Sequence, residues 1–351
     1  MDNAQILINK KKKIRAIIFS ITVLFSFFII ILSLLVGRYN VSLKNFFLVI
    51  TNKINSQNYN DYVVIIKLRL PRTLIAFMVG GALTLSGLTY QETFKNNLVS
   101  PGILGVSSGS SVGAVIAIIL GWSGIAWGIG ISIMAFIFGI GTIFLTIFLS
   151  KVFRSKSNLS LILSGIIISS LMSSVVSLIK SFANEQTQLP TIVFWLLGSF
   201  SNAKIVNVYL FLPIYLVCVI FLLLIRWKIN IIRLGFEQAQ SKGINYKAYR
   251  WAIIITATFL TAASISIVGN ISWIGLVIPN IIRLMLGNNT KITIPFSLTI
   301  GGSTMVLIDI FSRSLIESEI PISAISGILG ATLLAVILII QSKRRILYDQ
   351  S

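Results

Sequence analysis

The chain reads LRLPRTLIAFMVGGALTLSGLTYQETFKNNLVSPGILGVSSG from residue 68 to residue 109, and this segment is the most informative part of the sequence. Arg69 and Arg72 precede an apolar run with several small residues, which let helices approach closely in lipid. A polar turn follows at 91–100, and Pro101, a residue suited to the first turn of a helix, begins a second apolar run. The stretch therefore predicts a charged outer loop, a membrane helix, a tight turn and a helix that returns.

The composition of the whole chain is that of a membrane protein. Of its 351 residues, 56% are hydrophobic and 11% are charged, whereas roughly a quarter of an ordinary soluble domain is charged. Apolar runs recur along the chain, and a helix needs about 20 such residues to cross ~30 Å of hydrocarbon. The strands of a membrane barrel would alternate apolar and polar residues, and these runs do not. We therefore predict an all-α polytopic membrane protein.

The chain has a net charge of +20, no histidine and a single cysteine, Cys218. A basic soluble chain would suggest nucleic acid, but cationic loops on the cytoplasmic side of a membrane protein account for this charge. We expect contact with membrane lipid and none with nucleic acid. One cysteine without histidine excludes a disulfide and a Cys/His metal site within the chain, so we expect no metal and no other cofactor in it.

Ten apolar runs are candidates for membrane helices. They lie at 16–36, 73–90, 103–120, 126–150, 160–180, 205–225, 250–268, 274–287, 293–308 and 322–341. A further apolar segment at 191–200 is too short to span and predicts a partial helix. With the N-terminus inside, the inner ends and loops carry 20 lysines and arginines and the outer ends carry nine. This bias follows the positive-inside rule and places both termini in the cytoplasm.

The predicted organisation is a single transmembrane domain, 16–341, between a basic cytoplasmic N-terminus, 1–15, and a cytoplasmic tail, 342–351. The first apolar run opens like a signal peptide, but it is too long and no cleavage site of small residues follows it. We expect that run to remain as the first membrane helix. The longest inner loop is 226–250.

Several motifs support a resemblance to a known family. They are LRLPR at 68–72, GGALTLSG at 80–87, SPGILGVSSG at 100–109, LGFEQAQSKG at 234–243, GNISWIGLVIPNIIR at 269–283, DIFSR at 309–313 and SEIPI at 318–322. The chain resembles the permease subunits of ATP-binding cassette (ABC) importers for iron chelates, haem and vitamin B12, a FecCD-like family of type II importers. It departs from that family at Asn97, Trp273 and Asn280, where the family has proline, phenylalanine and histidine.

The resemblance implies the fold of the vitamin B12 importer permease and a place in the bacterial cytoplasmic membrane. It also implies a second permease chain, identical or homologous, two ATPase subunits and a substrate-binding lipoprotein. The implied cargo is a ferric siderophore or a related iron chelate, with haem or cobalamin as the alternative.

Two absences in the sequence bear on the source of energy. The chain has no Gly-x4-Gly-Lys-Ser/Thr phosphate loop, so we expect a transport subunit rather than an enzyme, with ATP and Mg²⁺ on the partner ATPase. No carboxylate lies in the middle of a predicted span. That absence argues against a secondary transporter driven by protons or sodium, which is the alternative from a different class.

Three arginines, Arg69, Arg72 and Arg313, lie on the predicted outer face. The resemblance implies that they bind carboxylates of the binding protein, because a guanidinium–carboxylate pair gives register as well as attraction. Pairing within the loops or with lipid headgroups is the alternative.

The inner loop 226–250 predicts two short helices broken at Gly243, and by itself it would be an amphipathic surface loop. The resemblance implies that it couples the permease to the ATPase. The coupling residues would be Leu234, Gly235, Glu237, Gln238, Ala239, Ser241 and Gly243.

The fifth predicted span, 160–180, is rich in serine. Serines in a membrane helix either bond neighbouring helices or line a polar path, and the resemblance favours the path. The path and gate residues would be Asn96, Leu98, Asn158, Ser160 and Ser164. The residues that the motifs predict to shape the backbone are Pro71, Gly87, Pro101, Gly102, Gly105, Gly275, Pro279 and Asn280.

Overall fold

The computed structural model describes residues 2–122, 129–153 and 158–349, and within these ranges the side chains of 2–9, 11, 158, 341 and 343–349 lie outside the described part. Its described residues are mainly helical and form no strand. The helices are α1 (Asp2–Leu35), α2 (Leu43–Ile50), α3 (Tyr59–Tyr62), α4 (Leu70–Phe94), α5 (Val106–Ile119), α6 (Ile129–Val152), α7 (Asn158–Ser181), α8 (Gln188–Leu197), α9 (Ile205–Leu224), α10 (Arg226–Leu234), α11 (Phe236–Ser241), α12 (Tyr246–Val268), α13 (Ile274–Leu286), α14 (Thr290–Ser314) and α15 (Ile322–Asp349). A π-helix, Val63–Arg69, joins α3 to α4.

The helical membrane fold is confirmed. Of the described helices, seven are long and apolar enough to cross a bilayer: α1, α6, α7, α9, α12, α14 and α15. Helices α5 and α13 have 14 and 13 residues, which is about 20 Å at 1.5 Å per residue and less than the ~30 Å of a hydrocarbon core. Each of the ten predicted spans coincides with one helix, but the crossing of the membrane by all ten stays a prediction. The partial helix predicted at 191–200 corresponds to α8.

Helix α4 lies at the centre of the molecule, with 21 of its 25 residues buried. Its glycines allow backbones to touch, because a Cβ at Gly80 would lie 2.3 Å from the carbonyl oxygen of Gly301 on α14. A Cβ at Gly87 would lie only 1.6 Å from the carbonyl oxygen of Gly275 on α13. Small residues at helix contacts bring van der Waals surfaces together in a membrane, where no hydrophobic force drives helices to associate.

Hydroxyl groups join α4 to α12. Ser86 Oγ donates to the carbonyl oxygen of Ala257 at 2.5 Å and lies 2.8 Å from Thr261 Oγ1. The Tyr90 hydroxyl lies 2.6 Å from Thr258 Oγ1. Since an unpaired polar group costs free energy in an apolar interior, these bonds favour one rotational setting of the two helices.

The elbow, residues 95–105, turns the chain back between α4 and α5. Helix α4 ends at Lys95, whose φ of 54° closes the helix in the left-handed region. Gly105, with φ of 86°, precedes the first residue of α5. The predicted span at 103–120 therefore begins three residues before the helix does, because the left-handed glycine belongs to the turn.

Candidate functional site

Charged residues lie at both ends of the central helix α4. Arg72 is in its first turn and Glu92 in its last. The two positions are 20 residues apart, about 30 Å along a helix, which matches the thickness of a bilayer core. Each anchors a group of polar side chains. We call them the Arg72 cluster (Arg72, Asp309, Arg313 and Glu319) and the Glu92 cluster (Gln91, Glu92, Arg233, Asn280 and Arg283).

Arg72 binds two carboxylates of the same chain. Its Nη2 lies 2.8 Å from Asp309 Oδ1. Its Nη1 and Nη2 donate to the two oxygens of Glu319 at 2.7 and 3.1 Å. Asp309, on α14, is fully buried, whereas the Glu319 side chain, in the loop before α15, is 29% exposed. Arg72 thus holds the loop between α14 and α15 against the start of α4.

Arg313 is the second cation of the Arg72 cluster. Its Nε lies 3.4 Å from Asp309 Oδ2, one helical turn earlier on α14. Its Nη2 donates to the backbone carbonyl and, at 2.7 Å, to the hydroxyl of Ser33 on α1. Ser33 Oγ is in turn 2.7 Å from Thr73 Oγ1. The cluster therefore joins α1, α4 and α14.

Arg69 has no carboxylate partner among the ion pairs of the described residues. Its guanidinium donates to the carbonyl oxygens of Leu34, Leu35 and Tyr39 at 2.8, 2.8 and 2.6 Å. The carbonyls of Leu34 and Leu35 end α1, and that of Tyr39 belongs to the segment that follows. A cation at a helix C-terminus satisfies the terminal carbonyls and complements the helix dipole. The adjacent Gly37 lies against this guanidinium, because a Cβ there would lie 2.5 Å from Arg69 Nη2 and would displace it.

The three arginines predicted for docking thus lie at one end of the molecule and bind partners within the chain. Arg69 and Arg313 are 5% and 6% exposed, and Arg72 is 11% exposed as a side chain. Pairing within the chain, the alternative left open by the sequence, is what the protomer contains. Docking of a binding protein by these arginines stays a prediction, and it would require exchange of partners at Arg72.

Glu92, at the other end of α4, is shared between two arginines. Its Oε1 lies 3.2 Å from Arg283 Nη1 on α13, and its Oε2 lies 3.2 Å from Arg233 Nη1 on α10. Arg283 Nη2 also donates to Gln91 Oε1 and, at 3.0 Å, to Asn280 Oδ1. Glu92 and Arg283 are buried, and the Arg233 side chain is 31% exposed.

The amides of the Glu92 cluster hold the elbow. Gln91 Nε2 donates to the carbonyl oxygen of Val99 at 3.0 Å, and Asn280 Nδ2 donates to that of Asn97 at 3.0 Å. Leu98 N donates to Asn96 Oδ1 at 2.9 Å. These hydrogen bonds close the turn, although residue 97 is asparagine and not the proline of the family. Asn280, at the position where the family has histidine, also forms hydrogen bonds with the turn.

The loop 226–250 forms two short helices, as predicted, but the break between them lies elsewhere. Helix α10 ends at Leu234, and Gly235 with φ of 123° separates it from α11. Only glycine adopts that conformation without strain. Gly243 instead follows α11, with φ of 70°, in the turn that leads to α12. We call residues 226–243 the coupling segment.

The predicted coupling residues are mostly at the surface. Ala239 is fully buried and anchors α11. The exposed ones are Leu234, Glu237, Gln238, Ser241 and Gly243, and Phe236 between them is also exposed. Lys95 Nζ donates to the carbonyl oxygen of Leu234 at 2.9 Å. The exposed face of α11 therefore presents an apolar side chain, Phe236, together with polar side chains to a partner.

The predicted path residues separate into two groups. Asn96 and Leu98 are exposed on the elbow. Ser160 and Ser164 are buried on α7, and Ser164 Oγ donates to the carbonyl oxygen of Ser160 at 2.8 Å. In the protomer that face of α7 packs on the elbow, and the assignment of these two serines to the path stays a prediction. The side chain of Asn158 lies outside the described residues.

The opposite face of α7 carries the exposed hydroxyls. They belong to Ser170, Ser173, Ser174 and Ser177. Ser174 and Ser177 donate to carbonyls four residues earlier, at 3.0 and 3.1 Å. Tight backbone contact explains the burial of the other face, since a Cβ at Gly165 would lie 2.2 Å from the carbonyl oxygen of Ile103.

Two carboxylates lie near the ends of α4 and α14, beyond the ends of the predicted spans. The predicted spans ended at 90 and 308, but α4 and α14 continue to Phe94 and Ser314. They therefore include Glu92 and Asp309, both buried. Each is bound by arginines near a helix end, so neither is a free group at the midplane.

The motif residues shape close contacts. Pro71 is in the first turn of α4, and Pro279 is buried inside α13. A Cβ at Gly275 would lie 2.2 Å from Pro101 Cγ, and one at Gly102 would lie 2.7 Å from Ser107 Oγ. The elbow and the start of α13 thus fit together only with small residues.

A cavity of about 990 Å³ opens beside the Arg72 cluster. It is lined by the end of α8, the loop before α9 and the loop before α15. Its polar lining includes Ser199, Ser201, Asn202, Lys204 and Glu319. Ligand pockets for drug-sized molecules measure ~300–1,000 Å³, so the cavity is at the upper end of that range.

Three comparisons with known proteins agree on one family. The model of the FecCD transport family matches residues 24–340. The molybdate import system permease protein MolB of Haemophilus influenzae is 37% identical over 309 residues, which cover 88% of this chain and 90% of that protein. A protein of Helicobacter pylori named "Probable iron chelatin transport system permease protein" is 33% identical, with 85% and 90% covered.

A solved structure has the same fold. It is described as "An inward-facing conformation of a putative metal-chelate type ABC transporter". It is 35% identical to this chain, has a TM-score of 0.82, and the match covers 92% of this chain and 98% of that one.

Proposed function

Since the chain belongs to the FecCD transport family of ABC importer permeases, we propose that it forms, with a second permease chain, the path by which an iron chelate enters the cell. All ten predicted spans would cross the membrane with both termini inside. A binding lipoprotein would deliver the chelate on the side of the Arg72 cluster, and two ATPase subunits would bind at the coupling segment.

The cavity beside the Arg72 cluster carries the proposal for the cargo. Its volume of about 990 Å³ suits a chelate of several hundred daltons, whereas a bare tetrahedral oxyanion needs far less room. The similarity to a metal-chelate type transporter over most of its length supports the same class. Haem, with a similar bulk, would fit in the same way.

Molybdate is the second candidate cargo, favoured by the 37% identity to the molybdate permease. The exposed serines of α7 would suit either cargo, because neutral hydroxyls donate to an oxyanion as well as to a chelate. The binding protein would then decide which cargo reaches the path.

Coupling to ATP is supported by the surface of the coupling segment. Phe236 is half exposed beside the fully buried Ala239, a pattern in which one face of α11 anchors and the other is presented. No phosphate loop exists in the chain, so a separate ATPase would supply the energy.

Uptake by reconstituted complexes tests the proposal. The chain, with candidate ATPase and binding protein, would be placed in proteoliposomes with ATP on the ATPase side. We expect ATP-dependent uptake of ⁵⁵Fe-siderophore, to be compared with haem and ⁹⁹Mo-molybdate at equal concentration. Uptake of molybdate alone would overturn the chelate assignment. Uptake that needs an ion gradient and no ATPase would identify a secondary transporter instead.

A further inference from the structure

Glu92 occupies the meeting point of three parts of the molecule. It lies in the last turn of α4, two residues before the helix ends. One of its oxygens is bound by Arg283 on α13 and the other by Arg233 on α10, each at 3.2 Å. A single carboxylate thus joins the central helix, a buried helix of the membrane domain and the coupling segment.

The two arginines differ in how firmly they are held. Arg283 is buried and also donates to Gln91 and to Asn280. Arg233 is 31% exposed, and its other hydrogen bond is a long one, 3.5 Å to the carbonyl oxygen of Asn288. Water can therefore replace Glu92 at Arg233 more easily than at Arg283.

The ion pair between Arg233 and Glu92 can open without leaving an unbalanced charge in the buried part of the site. When Arg233 leaves, Glu92 and Arg283 remain as a neutral pair in the buried part of the site. When Arg283 is removed instead, Glu92 keeps only a partly exposed partner. Breaking a buried pair by removing one member is strongly destabilising, while releasing a partly exposed one is not.

The same groups hold the elbow. Gln91, next to Glu92, and Asn280, which accepts from Arg283, donate to the carbonyls of Val99 and Asn97. On the other side, Lys95 binds the last carbonyl of α10. A displacement of α10 therefore acts on the end of α4 and on the turn that follows it.

We propose that Glu92 and Arg233 are positioning residues that transmit movement of the coupling segment to the elbow between α4 and α5. The Arg233–Glu92 bond is the part that forms and breaks during the cycle, and the Glu92–Arg283 pair is the fixed support. The inference rests on the proposed function, because it requires an ATPase bound at the coupling segment.

The test measures cargo transported per ATP hydrolysed in proteoliposomes. Arg233→Gln removes one charge from the partly exposed position. We expect ATP hydrolysis to continue and the transport per ATP to fall about fivefold, the effect of one partly exposed charge pair at its upper value. Arg233→Lys, which keeps the charge, should restore part of the ratio.

Lys151→Gln is the control. Lys151 lies in the last turn of α6, outside the coupling segment, is exposed and forms no ion pair among those of the described residues, so the same change of charge should leave transport per ATP unchanged. Thermal stability of the purified chain separates coupling from folding, because Arg233→Gln should unfold within a few degrees of wild type.

Each outcome has a distinct meaning. A wild-type ratio in Arg233→Gln, or an equal loss in Lys151→Gln, would overturn the inference and leave the proposed function intact. A wild-type chain without ATP-dependent uptake would overturn the proposed function itself. Loss of stability in Arg233→Gln equal to that of Glu92→Gln would show a purely structural bond.

Discussion

Removal of the Arg72 side chain should be the most damaging single change at its end of the molecule. Arg72→Met deletes the partner of two carboxylates, one fully buried and one 29% exposed. Breaking a buried pair by removing one member costs roughly 3–5 kcal/mol. Arg313 remains 3.4 Å from Asp309, so we expect the lower end of that range, about 3 kcal/mol of unfolding free energy.

Glu319→Gln is the informative comparison. It removes the exposed arm of the same cluster and leaves the Arg72–Asp309 pair in place. A partly exposed pair contributes about 0.2–1 kcal/mol, so this variant should lose at most about 1 kcal/mol. Arg38→Met, at an exposed position without an ion pair among those of the described residues, controls for the introduction of methionine and should unfold like wild type.

The assay is reversible unfolding of the purified chain in mixed micelles titrated with SDS. The reasoning is refuted if Arg72→Met is as stable as wild type, or if Glu319→Gln costs as much as Arg72→Met. The same variants test docking in nanodiscs. If Arg72 binds a carboxylate of the binding protein, Glu319→Gln frees the guanidinium and should keep or raise the affinity. Arg72→Glu would not separate the two roles, because it adds a third carboxylate beside Asp309 and Glu319.

Three further predictions concern packing, coupling and topology. Gly87→Ala should prevent accumulation of folded protein, because its Cβ would lie 1.6 Å from a backbone oxygen of α13, whereas Gly141→Ala, with nothing within 4 Å of its Cβ, should express normally; equal yields in a membrane fraction would contradict this. Glu237→Arg, on the exposed face of α11, should lower stimulation of the ATPase and leave binding-protein affinity unchanged; unchanged stimulation would remove this residue from the contact. In a Cys218-free background, Asn55→Cys should react with an impermeant thiol reagent in intact cells and Arg345→Cys should not; labelling of both from outside would refute the predicted topology.

The positions of the helices could be predicted because they depend on local properties of the chain. Length and hydrophobicity of each apolar run determine whether it can satisfy its backbone in lipid. Small residues such as Gly87 and turn residues such as Gly105 act within their own segments, so their motifs identified the central helix and its elbow. The helix ends were less accurate, because the terminal turns of α4 and α14 are polar and are stabilised by side chains from other helices.

The ion pairs of the two charged clusters could not be predicted from the sequence. Glu92 and Arg283 are separated by 191 residues, and Arg72 and Asp309 by 237, so no periodicity or local spacing relates them. The one usable signal was the presence of opposite charges at helix ends on the same predicted side of the membrane. That signal does not indicate which arginine pairs with which carboxylate.

That the chain is a helical membrane permease of one family could be predicted from its sequence, since apolar runs and motifs are properties of short segments. The burial and the partners of its charged residues depend on the packing of distant helices and were seen in the structure alone. Arg69, Arg72 and Arg313 are equally polar in the sequence, but packing buries them and gives each a different partner. The same packing turned Ser160 and Ser164 inward and joined the coupling segment to the elbow through Glu92. The free energy of a charged side chain depends on its burial and on its ion-pair partners. Both depend on how helices that are far apart in the sequence pack in three dimensions.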